Sequence, residues 1–100
     1  MFERREARAT GAADAAQAVA LSALVFLLED SERTSRFLSV TGQEGAELAQ
    51  RIQDPAFLGG VLDFILADET LLVAVAGAAG VRPDRVAGLR RCLPGDLAGD

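Results

Sequence analysis

The stretch DPAFLGGVLDFILAD, residues 54–68, decides the fold class. Asp54 before Pro55 is a helix start. The carboxylate is placed to accept from a free backbone amide, and proline at the first helical position gives up only an amide that had no partner. Phe57, Leu58, Val61, Leu62, Ile65 and Leu66 then recur at intervals of three and four. That spacing gathers side chains on one face of a helix running to about Ala67. Asp68 closes the run and is placed to cap the next helix.

Toward the C-terminus, a fifth helix is predicted from Glu69 to about Ala79, apolar enough to be largely buried, with Gly80 as its left-handed C-cap. Pro83 opens a sixth helix carrying Val86, Leu89, Cys92 and Leu93, and Pro94-Gly95 ends it. Toward the N-terminus, residues 12–29 are helical in pattern and apolar nearly all round in their second half, which suits the middle of a bundle. Asp30-Ser31 stops that helix and caps the next, from Glu32 to about Val40, with Phe37, Leu38 and Val40 facing inward. Thr41 and Glu44 have the spacing of a capping box. They would open a short polar helix to about Gln53, anchored by Leu48 and Ile52.

No stretch alternates with period two between hairpin turns, so strands are not expected. The fold class is all-α: one compact domain of five to six helices over 12–93, with a flexible segment at 1–11 and a loose tail at 94–100.

The chain also matches itself. Laying residue 24 on residue 62 places Leu24, Phe26, Leu28 and Asp30 on Leu62, Phe64, Leu66 and Asp68. Gly42 then falls on Gly80, and Ala49 on Ala87. Each half reads long helix, Asp cap, second helix, Gly stop, short third helix, the pattern of two related three-helix units.

Composition narrows the chemistry. Half of the 100 residues are apolar and only five are aromatic, all Phe. A core of Leu, Val and Ala suits closely packed helices. So much apolar matter on a small domain leaves surface for a partner, and helices 12–29, 55–67 and 69–79 are the sources expected. There is no His. A Ser-His-Asp or Cys-His triad and a Cys/His zinc site therefore cannot be assembled from this chain alone. The single Cys92 forms no intramolecular disulfide and reads as a small buried hydrophobe. The net charge of −5 works against nucleic-acid binding.

Membrane insertion is not expected, because the uninterrupted apolar runs Val19–Leu28 and Leu71–Ala79 fall well short of the ~20 residues a span needs. The basic start, Arg4, Arg5 and Arg8, is interrupted by acids. Glu29-Asp30-Ser31-Glu32 stands where a signal peptide would need small residues. The compartment expected is the cytoplasm.

Several residues carry two meanings. Asp30 and Asp68 stand at equivalent turns and read as N-caps, although paired acids also suit a metal or acid/base centre. Asp63 interrupts an apolar helix beside Gly59 and Gly60. Exposure to water is the expectation; the rival is close approach of another helix, which buries the carboxylate and demands an Arg. Gly59, Gly60 and Gly77 each weaken a helix, and tight crossing would compensate. Arg82, Arg85, Arg90 and Arg91 group on the last helix, where they complement its dipole. With Asp63 they are the candidate partner-binding residues. Asp30, Thr41, Glu44, Asp54, Pro55, Asp68 and Gly80 are the candidate caps.

Taken in order, ALVFLLED (23–30), RFLSVTG (36–42) and DPAFLGGVLDFI (54–65) resemble the landmarks of a small bacterial family known only as a domain of unknown function. The likeness spans about residues 15–95. It implies an all-helical fold and bacterial origin, and brings no activity, cofactor or catalytic residue.

The function expected is a non-enzymatic protein–protein interaction or regulatory module, with no cofactor, binding a protein partner or a second copy of itself. One alternative is a carboxylate-based metal or catalytic centre at Asp30, Asp63 and Asp68. The other is weak nucleic-acid binding through the Arg group.

Overall fold

The computed structural model describes the backbone of residues 2–95 and the side chains of 11–95. Side chains 1–10 and residues 96–100, where a flexible lead and a loose tail are expected, lie outside the described residues. Among those described, six α-helices follow one another and there is no strand. They are α1 (Phe2–Leu28), α2 (Ser31–Thr41), α3 (Leu48–Arg51), α4 (Pro55–Leu66), α5 (Glu69–Ala79) and α6 (Pro83–Arg90). A 3-10 turn at Gly45–Glu47 leads into α3.

Helix α1 is the axle. It touches α2, α4, α5 and α6, and commits Ala16, Val19, Ala20, Ala23, Leu24 and Leu27 to the core. Gly11–Leu28 does reach the length and hydropathy of a membrane span, contrary to the expectation from the uninterrupted runs, but a third of that window is buried inside the fold. Phe37 is the key of α2. It sits edge-on to Phe57 at 6.1 Å and to Phe64 at 5.2 Å between centroids, tying α2 to α4. Val40, expected inward, faces out.

The internal repeat has a structural counterpart. Helices α2 and α5 begin and end at equivalent residues, and both stop at a left-handed glycine, Gly42 at φ 73° and Gly80 at φ 75°. Equivalent positions are buried in both halves: Val19 and Phe57, Ala20 and Leu58, Ala23 and Val61, Leu27 and Ile65, Phe37 and Val75. The third members differ, since α3 is a single turn where α6 has two.

The caps divide. Asp54 accepts from the Ala56 amide at 3.0 Å, and Asp68 from the Leu71 amide at 3.2 Å. Asp30 holds the N-cap backbone position of α2 but its side chain makes no cap bond; it lies 3.8 Å from Arg33 instead. The Thr34 hydroxyl closes that corner, within 2.9 Å of the Leu27 carbonyl and 3.0 Å of the Asp30 carbonyl. Asp68→Ala is therefore expected to cost about 1 kcal/mol and Asp30→Ala less than about half of that, read as shifts in urea midpoint. Equal costs would show that the cap bonds do not set the difference.

The capping box does not form. Thr41 is the last residue of α2 and its hydroxyl donates back to the Phe37 carbonyl at 2.7 Å. Glu44 precedes the 3-10 turn without a side-chain cap bond. Helix α5 is also less buried than its composition suggests: Val75 and Ala76 are buried, whereas Val73 and Ala74 are exposed.

Candidate functional site

The most elaborate polar arrangement joins α4 to the end of α6. Arg90 Nε donates to Asp63 Oδ1 at 2.6 Å, and Nη2 donates to Oδ2 at 3.1 Å. Nη1 donates to the carbonyls of Leu93 and Pro94, at 3.0 and 3.2 Å, and Nη2 also donates to that of Gly95 at 3.0 Å. A guanidinium has five N–H groups, and every one is used. The side chains are only 12% (Arg90) and 19% (Asp63) exposed. Asp63 is thus not the solvent-facing acid expected; the close-approach alternative holds, with Arg90 as the partner it required.

Glycine makes the approach possible. A Cβ on Gly59 would lie 2.8 Å from Arg90 Nη1 and 2.8 Å from the Pro94 carbonyl oxygen. Gly95 has φ +96°, a left-handed backbone that turns its carbonyl onto the clamp at no steric cost. Gly60 and Gly77 have nothing within 4 Å of such a Cβ, so tight crossing explains Gly59 alone of the three. The clamp is closed on itself, with no donor left for a substrate.

The other arginines of the group differ from Arg90, and Arg85 and Arg91 line one shallow cavity with Asp84. Arg82 is the N-cap residue of α6 and pairs with Asp84 at 2.8 Å, both side chains largely in solvent. Arg85 and Arg91 are exposed, while Arg90 is turned inward. Cys92, expected to be buried, is exposed. Bonds from Arg91, Cys92 and Leu93 to carbonyls three residues back tighten the chain after α6. Leu93 is then inside and the thiol outside.

The acids are dispersed as well. Asp30 lies near Arg33, Asp63 on Arg90, and Asp68 at a helix start with Arg36 at 3.9 Å. Among the described residues no three side chains of His, Cys, Asp or Glu gather as metal ligands. A carboxylate centre at Asp30, Asp63 and Asp68 thus has no assembled site there.

An apolar surface also stands open. Leu21, Val25 and Leu28 are exposed along α1 at intervals of four and three, Val25 by 56%. Beside them a groove of about 380 Å³ is lined by Leu21, Ser22, Val25, Phe26, Glu29 and Ala78, so α5 forms its far wall. Arg33 stacks over the ring of Phe26, one of the groove's lining residues, at 4.3 Å. Helix α4 contributes no large exposed hydrophobe, so the surplus expected from three helices comes from α1 and α5, with Val40 separate on α2. Sequence reasoning located the surplus but not the stripe. The signal was present in the spacing of Ala18, Leu21, Val25 and Leu28, a seam hidden by equally apolar residues on the buried side.

These features define a class: a small all-α domain built on a central helix, with residues 93–95 held against α4 by an ion-paired arginine and an apolar stripe left uncovered. The chain belongs to the family described as "Protein of unknown function (DUF3572)", whose family model matches residues 13–96. No curated protein and no solved structure matches it significantly.

Proposed function

We propose that the domain is a non-enzymatic interaction module of the cytoplasm that binds protein through the α1 stripe. The observation that carries this is the row Leu21, Val25 and Leu28, left in water on a helix whose opposite face is core. A contiguous apolar patch on a small domain costs solubility, and partner binding is the common reason for keeping one. The groove against α5 supports it, since it offers a concave wall rather than scattered side chains. The free, exposed Cys92 suits a reducing compartment.

A photo-crosslinking side chain at position 25, with another at the exposed Ala87 on α6 as control, tests this in the cells of origin. Protein adducts are expected at 25 several-fold above those at 87. Equal, background-level yields at both positions would remove the proposal.

A further inference from the structure

We infer that the α1 stripe is covered by a second copy of itself, packed antiparallel about a two-fold axis level with Ala23. This rests on the interaction-module proposal and names its partner. Asp14, Ala18, Leu21, Val25 and Leu28 are all exposed and follow one another at intervals of four, three, four and three. That alternation is the seam of a helix pair, so the shape that fits it is another helix lying nearly parallel or antiparallel to α1.

The seam's size and charge complement is better in the antiparallel direction. Reversed about Ala23, Ala18 faces Leu28 of the second copy and Leu21 faces Val25, so every layer sets a larger side chain against a smaller one. A parallel pair would set Ala18 against Ala18, leaving a thin layer between the Asp14 pair and the Leu21 pair. It would also place the two Asp14 carboxylates in one layer. The antiparallel pair holds them about 27 Å apart at the helical rise per residue, beyond the ~8–10 Å over which salt leaves charges in contact.

The four-layer overlap is about 15 Å long, well short of a standard protein interface, so the pair dissociates readily. Half-association is expected at tens to hundreds of micromolar.

Sedimentation of the full chain from about 10 µM to about 1 mM reads this directly. The wild type should move from monomer to dimer. Val25→Glu should stay monomeric with an unchanged helical circular dichroism spectrum. Orientation is read by mixing two tagged chains, Ala18→Cys and Leu28→Cys, each also carrying Cys92→Ser. The mixed 18–28 disulfide is expected to dominate several-fold.

A monomer at the highest concentration overturns the inference, as do 18–18 and 28–28 products in its place. Co-sedimentation of a monomeric chain with vesicles of mixed zwitterionic and anionic lipid, lost in Val25→Glu, would also overturn it by giving the stripe to a membrane surface. A monomer that still yields foreign protein adducts from position 25 leaves the module standing and removes only its self-pairing.

Discussion

Arg90→Ala is expected to cost about 3 kcal/mol of folding stability, more than its place near the end of the described chain suggests. The substitution strands the mostly buried Asp63 carboxylate without its cation and releases the carbonyls of Leu93, Pro94 and Gly95 together. For a domain of this size that is a fall in midpoint temperature on the order of 10–20 °C. The two side chains keep some contact with water, which holds the value at the lower end of what breaking a buried pair costs. Arg90→Lys should recover little, because an ammonium cannot fork across both carboxylate oxygens. Pairing Asp63→Leu with Arg90→Met should recover most of the loss, since no orphaned charge remains. Urea unfolding of the four proteins decides it. A cost below about 1 kcal/mol for Arg90→Ala would class the pair with ordinary surface ion pairs.

That clamp also marks where sequence stopped being informative. Asp54-Pro55, Asp68 and Gly80 act within a turn of themselves, and each stands where the local pattern places it. Asp63 and Arg90 lie 27 positions apart, and no spacing rule relates them. The only local trace was Gly59, a poor helix former in a strong helix. Thr41 failed for a different reason: its hydroxyl can serve the amide ahead or the carbonyl behind. The left-handed turn at Gly42 keeps it in the last turn of α2, where the Phe37 carbonyl is within reach. In α5 nearly every side chain is apolar, so periodicity had no polar marker to show that Val73 and Ala74 face out. The candidate surface suffered the same ambiguity. In α1 the stripe and the core face are both apolar, and only packing against α2, α4, α5 and α6 separates them.

Gly59→Ala and Gly60→Ala are neighbouring substitutions expected to have opposite signs. Alanine favours an interior helical position over glycine by roughly 1 kcal/mol. At Gly60 nothing lies within 4 Å of the new methyl, so that preference is realised and the domain gains about 0.5–1 kcal/mol. At Gly59 the methyl meets Arg90 Nη1, Arg90 Cζ and the Pro94 carbonyl oxygen, all inside 3.0 Å. The guanidinium cannot yield without giving up Asp63, and the carbonyl is backbone. Overpacking then exceeds the helix preference, leaving a net loss of about 2 kcal/mol. The clash and the clamp are one feature, so the two losses should not add. In an Arg90→Ala background Gly59→Ala keeps only the Pro94 contact, in a tail no longer held down, and its cost should fall by more than half. Full additivity in that double variant would mean that Gly59 matters for some reason other than making room for Arg90.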